Sequence, residues 1–182
     1  SKTRNIEDTK KLIDEVMVMK RAFRVSRIVE IVVAGAIATK ASDIHVEPEE
    51  DNARLRFRID GVLVDIAVFD TETFQLLLSR LKILSGMKLN IKDQAQDGRF
   101  SIKINETEIE IRSSILPGAY SESVVMRLLN PDQIAVDLKE LGIEPELQEL
   151  FNTQLARPDG LILNTGPTGS GKTTTLYAFL KQ

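Results

Sequence analysis

The alternation of apolar and polar residues is clearest between positions 54 and 69. Leu55, Phe57 and Ile59 alternate with Arg54, Arg56 and Arg58, and Asp60-Gly61 follows as a two-residue turn signal. Counting back from that turn places Phe57 opposite Val64, Leu55 opposite Ile66, and Arg56 opposite Asp65. Apolar then meets apolar and plus meets minus, so the pattern predicts a hairpin with one buried face. A second hairpin is predicted over 99–104 and 107–116, turning at Asn105-Glu106. Its register sets Ile102 against Ile109, Phe100 against Ile111 and Lys103 against Glu108. Further strands are predicted over 43–47, stopped by Pro48, and over 124–129.

Helical spacing takes over elsewhere. Residues 71–85 carry Phe74, Leu77, Leu78, Leu81 and Leu84 on one face, with Asp70 as the N-cap and Gly86 just past the end. Residues 26–40 are apolar nearly all round, which predicts a buried helix, and Ser26 is its candidate N-cap. Residues 1–23 are highly charged, with Ile6, Leu12, Ile13, Val16 and Met17 loosely at helical spacing. With Phe23 at the same spacing, they predict an amphipathic connecting helix.

The sheet signals stop at Asn130-Pro131, and 137–142 reads as a linker, so a domain boundary falls between 130 and 142. Pro145 opens a helix carrying Leu147, Leu150, Phe151 and Leu155. The turn Arg157-Pro158-Asp159-Gly160 leads into Leu161-Ile162-Leu163, an expected buried strand, and 174–181 reads as a helix. The expected organisation is an N-terminal linker helix over 1–24, an antiparallel α+β domain over 25–135, and a linker with the start of a second, α/β domain over 136–182.

Between that strand and that helix stands Gly166-Pro167-Thr168-Gly169-Ser170-Gly171-Lys172-Thr173, followed by Thr174. It fits G-x-x-x-x-G-K-[ST] at every fixed position. Glycines let the backbone curl so that N–H groups point inward at phosphate oxygens. Lys172 is placed to reach the β- and γ-phosphates of a nucleotide such as ATP, and the Thr173 hydroxyl to ligate Mg²⁺. The helix that starts here adds its positive end. Only nine residues follow Thr173. A P-loop nucleotidase needs more parallel strands, a carboxylate to steer Mg²⁺ and a group to orient water. The expectation is therefore a fragment of an ATPase, inactive by itself.

Composition narrows the alternatives. With 182 residues, of which 42% are hydrophobic, the chain can bury a core for one domain and part of another. A net charge of −3 does not indicate a nucleic-acid surface. There are no cysteines, hence no disulfide or thiolate metal site. The apolar run over 31–38 is too short to span a membrane. His45, the one histidine, lies in a predicted strand and reads as structural.

One pairing in the second hairpin is unfavourable: Arg99 falls opposite Arg112, with Arg127 on the next strand. Like charges directly opposite cost stability. They make sense if an anion such as a phosphate visits them. Otherwise they form a solvated polar face screened by Glu110 or Glu122.

Five stretches occur in an order that resembles one family. They are Ala41-Ser42-Asp43-Ile44-His45-Val46-Glu47-Pro48, then Arg56-Phe57-Arg58-Ile59-Asp60-Gly61, Gln96-Asp97-Gly98-Arg99, Val125-Met126-Arg127-Leu128-Leu129, and the glycine loop through Thr175. Together they look like the type II secretion and type IV pilus assembly ATPases, from about Val25 onward. The resemblance implies a cytoplasmic hexameric motor that hydrolyses ATP with Mg²⁺ to drive pilus or pseudopilus assembly. It would act through partners on the inner-membrane platform, with no transmembrane segment of its own. It also implies an antiparallel domain preceding a RecA-like motor domain, with Arg99 and Arg112 approaching the nucleotide phosphates beside Lys172. Ser121-Glu122 departs from the family's usual Gly-Glu. Two rival readings are a DNA-uptake or other P-loop motor, and a non-catalytic assembly module.

Overall fold

The computed structural model describes residues 2–18, 21–104, 107–129, 138–167 and 170–180. The chain divides into two compact units, Ser1–Leu129 and Asn130–Gln182. The first begins with helices α1 (Lys2–Met17) and α2 (Arg21–Ala38) and strands β1 (Asp43–Pro48), β2 (Asn52–Ile59) and β3 (Val62–Asp70). Helix α3 (Thr71–Leu84) and strands β4 (Gln96–Ile104), β5 (Thr107–Pro117) and β6 (Glu122–Leu129) complete it. The strands form one antiparallel sheet in the order β3-β2-β1-β6-β5-β4, so the unit is an α+β fold.

Each hairpin is local, and β1 and β6 join them at the centre of the sheet. Alternation then gives the whole sheet two faces. Ile44, Val46, Leu55, Phe57, Ile111, Ile115, Val124 and Met126 are buried on one, in the same core as the apolar stripes of the three helices. Helix α2 contributes Ile28, Val32, Val33 and Ala36, and α3 contributes Phe74, Leu77, Leu78 and Leu81. Helix α1 supplies Ile13 and Val16 to that core. It lies so close to α2 that a Cβ on Gly35 would stand 2.5 Å from the Thr9 side chain. Asp70 caps α3 by accepting from the Thr73 N–H at 2.7 Å and the Thr73 hydroxyl at 2.9 Å. Its carboxyl pKa lies below the ordinary value, chiefly because of the Thr73 backbone N–H.

Three local expectations are corrected. Helix α2 starts at Arg21, so Ser26 lies inside the helix as an exposed residue and caps nothing. Its apolar stripe sets the packing, while the start extends upstream through residues with adequate helix propensity. In the first hairpin Phe57↔Val64 and Arg56↔Asp65 hold, but Leu55 pairs with Ala67, not Ile66. The ladder shifts between Leu55 and Arg56, leaving Ile66 as the extra residue of a bulge. The bulge lets Ile66 and Phe69 both be buried and turns Val68 outward; strict alternation would have buried Val68 and exposed Phe69. The second hairpin keeps the expected register throughout, although its turn, Asn105-Glu106, lies outside the described residues.

The second unit holds a 3-10 turn (Leu138–Leu141) and helices α4 (Pro145–Leu155) and α5 (Lys172–Leu180). Of the range expected to hold the domain boundary, 130–137 lies outside the described residues, and most of the expected linker, 137–142, is the 3-10 turn. Phe151 of α4 and Phe179 of α5 meet with ring centroids 5.0 Å apart. The third correction is here. Leu161, Ile162 and Leu163 are exposed, at 83%, 38% and 78%, and belong to no ladder among the described residues. Apolar sequence alone does not make a buried strand; its backbone groups need neighbours to pair with.

Candidate phosphate-binding loop and arginine row

The glycine loop lies in the second unit. Thr168 and Gly169 are outside the described residues. Around them the geometry is tight. A Cβ on Gly166 would stand 2.6 Å from Ser170 Oγ, and Gly171 sits at φ +86, a conformation that disfavours side chains. Pro167 precedes the undescribed pair, and its carbonyl accepts from the Ser170 N–H at 3.3 Å. Helix α5 begins at Lys172, two residues earlier than the sequence pattern indicates, and Lys181 lies outside the described residues. Its first turn is closed by Thr175 N–H donating to Gly171 O at 2.9 Å. Asn164 Nδ2 donates to Lys172 O at 2.9 Å and ties the incoming chain to the helix start.

Lys172 Nζ donates to Gly166 O and Pro167 O, both at 2.7 Å. The ammonium is therefore folded back onto the backbone carbonyls at the start of the loop. Thr173 is exposed and Thr174 half-buried in the first helical turn. Glycines at positive φ, a helix N-terminus and a cation at one place fit a phosphate group. A threonine hydroxyl, as at Thr173, is a hard oxygen donor of the kind that suits Mg²⁺.

The other sequence-predicted residues lie on the solvent face of the sheet in the first unit. Arg99 pairs with Arg112, and Arg112 with Arg127. Arg127 pairs with Asp43, and Asp43 with Arg58. One row across five strands thus holds four arginines and a single aspartate. Asp43 is nearly buried and accepts from Arg127 Nε at 3.0 Å and Ser42 Oγ at 2.8 Å, with Arg58 Nε at 3.4 Å. Burial works to raise its carboxyl pKa, but the Ser42 and Arg127 hydrogen bonds and the charges of Arg127 and Arg58 outweigh it and hold the pKa below the ordinary value. Arg112 Nε lies 3.2 Å from Glu110 Oε1. Arg99 is exposed and has no side-chain partner among the described residues.

The rest of this face is paired. Arg56 bonds Glu47, and Arg54 lies 2.8 Å from Glu49 and 3.6 Å from Asp65. His45 Nδ1 lies 3.4 Å from Glu47 Oε1, between Arg56 and Val125 in the ladder, which fits a structural role. Sequence reasoning missed Asp43 as the partner of Arg127, because they are 84 residues apart and only the strand order joins them. It also missed the buried ion pair of Lys82 and Glu122. There the signal was available: a lysine on the apolar face of α3.

The family described as "Type II/IV secretion system protein" matches residues 19–182. The chain is 42% identical over 156 residues to Klebsiella pneumoniae "Type II secretion system protein E", covering 86% of this chain and 31% of that protein. It is 40% identical over 179 residues to Myxococcus xanthus "Type IV pilus assembly ATPase PilB", covering 98% of this chain and 30% of that protein. The chain thus spans about a third of the length of these relatives. Among solved structures, that of the Legionella pneumophila ATPase DotB aligns with TM-score 0.45 and 17% identity, over 84% of this chain and 40% of that one. That likeness is too slight to add to the sequence match. No helix among the described residues is long and apolar enough to cross a membrane.

Proposed function

Because the chain belongs to the type II/IV secretion system protein family, we propose that it is the phosphate-gripping part of a motor ATPase that powers type II secretion or type IV pilus assembly. The observation that carries this reading is the glycine loop at the head of α5, with Lys172 Nζ folded 2.7 Å from two loop carbonyls. The backbone N–H groups and Lys172 hold the β- and γ-phosphates of ATP, and Thr173 holds Mg²⁺. The metal supplies charge neutralisation at the phosphates when bound. Lys172 exchanges its two carbonyl contacts for phosphate oxygens, a charge-assisted and stronger bond. Arg99 and Arg112 are further phosphate contacts on this reading, which relieves their mutual repulsion.

On this reading 25–135 is the domain that precedes the motor, and 136–182 begins a RecA-like motor domain. The working form is a cytoplasmic homo-hexamer docked on inner-membrane partners of the machine. This chain alone is expected not to turn over ATP. The test is Mg-ATP calorimetry and hydrolysis, with this chain beside the protein extended to the full length of its relatives. In the longer protein Lys172→Ala should abolish turnover, and Arg99→Ala or Arg112→Ala should cut it at least about tenfold. Normal turnover in the Lys172 variant would overturn the assignment. Tight Mg-ATP binding by this chain alone would show that the further length found in its relatives is not needed for a site.

A further inference from the structure

The row contains a third arginine that the proposed function leaves unused. Arg127 on β6 stands opposite Arg112, as Arg112 stands opposite Arg99. Three guanidinium groups thus start from adjacent strands, about 5 Å apart, on one face. The manner in which they are held sets them apart from a solvated surface. Arg127 gives its Nε to Asp43 Oδ1 at 3.0 Å, and Arg112 gives its Nε to Glu110 Oε1 at 3.2 Å. In each case a carboxylate takes the inner nitrogen. The two terminal nitrogens, which form the fork that grips phosphate, have no partner among the described residues. Arg99 is entirely free among them.

The holder of Arg127 is rigid. The Asp43 side chain is only 7% exposed, whereas Arg127 is 67% exposed. Ser42 and Arg58 also engage Asp43, so it is fixed from three directions and stays ionised at neutral pH. The other acid near Arg99 on this face, Asp97, is occupied by the Ser114 hydroxyl. We propose that Arg127 is a third phosphate-facing arginine, oriented by Asp43, so that the row grips a chain of phosphates and not a single one. This rests on the reading that Arg99 and Arg112 meet phosphate. Asp43 touches no ligand on this account; it is a positioning residue.

The experiment titrates inorganic triphosphate, and separately orthophosphate, into this chain carrying Lys172→Ala, which removes the loop lysine from the signal. Calorimetry reads affinity, and the arginine Nε–Hε resonances in NMR read which side chains respond. Triphosphate should shift Arg99, Arg112 and Arg127 together and bind about tenfold or more tighter than orthophosphate. Arg127→Lys keeps the charge but loses the fork, and should weaken triphosphate about five- to tenfold while moving orthophosphate less than about twofold. Asp43→Asn gives opposite signs for two explanations. Removing a negative charge should strengthen anion binding if net charge alone counts. It should weaken triphosphate about threefold or more if Asp43 aims Arg127. Asp43 is buried, so Arg127→Lys, at an exposed side chain, decides the matter should the asparagine variant not fold. Tighter binding in Asp43→Asn, or unchanged binding in Arg127→Lys, overturns the role of Arg127. Unchanged binding in Arg99→Ala overturns the underlying arginine-pair reading, and this inference with it.

Discussion

Replacing Lys82 with methionine should destabilise the first unit by about 3–5 kcal/mol. Lys82 Nζ lies 2.6 Å from Glu122 Oε1 and donates to Glu122 Oε2 at 2.8 Å and to Ile91 O at 2.7 Å. The two side chains are only 2% and 4% exposed. Water therefore cannot take over when one partner goes, and the Lys82→Met variant buries an uncompensated carboxylate. The double variant Lys82→Met/Glu122→Leu removes both charges. Ile91 O still accepts from Gln96 Nε2 at 3.1 Å, so that carbonyl keeps a partner. The double variant should thus lie within about 2 kcal/mol of wild type, well short of the sum of the two single effects. Native-state hydrogen exchange at Ile44, Leu55 and Ile111 reads the opening of this core directly. Their exchange should speed up at least about a hundredfold in Lys82→Met, since about 1.4 kcal/mol is tenfold. They should return most of the way in the double variant. If the double variant exchanges as fast as the two single effects multiplied, the pair is uncoupled and the reasoning fails.

Other expectations are simpler. A Cβ on Gly98 would stand 2.2 Å from Ser85 O, so Gly98→Ala should cost about 1–3 kcal/mol and lower the urea midpoint. No loss of stability would mean that β4 can move away from the end of α3. Asp70→Ala should cost about 1 kcal/mol at pH 7 through loss of the α3 cap. The Asp70 pKa is lowered in the fold, so its stabilisation is complete above the ordinary value of 3.8 and is lost as pH falls through the folded value. The gap between wild type and Asp70→Ala should therefore close below that pH; a gap that persists in acid would show that the carboxylate is not the cap. Phe57→Ala, at a fully buried position, should cost about 3–5 kcal/mol, whereas Val68→Ala, on the outward side of the bulge, should stay within about 0.5 kcal/mol in a thermal melt.

Local pattern by itself determined much of this protein. The second hairpin's register, including Arg99 opposite Arg112, follows from a period of two that a one-residue slip would turn inside out. The Asp70 cap and the Lys172 contact with Gly166 O are equally local, because each is made within a few residues. Other features depended on what arrives from far along the chain. The bulge at Ile66 arises because Phe69 must reach the core, which no count from the turn includes. Asp43 finds Arg127 only because β1 and β6 meet at the centre of the sheet. Lys82 on an apolar stripe is tolerable only because β6 brings Glu122 to it. Leu161, Ile162 and Leu163 read as a buried strand, yet burial needs partners that apolarity cannot supply. A side chain's periodicity is written in the sequence next to it; its counter-charge and its ladder neighbour are set by strand order.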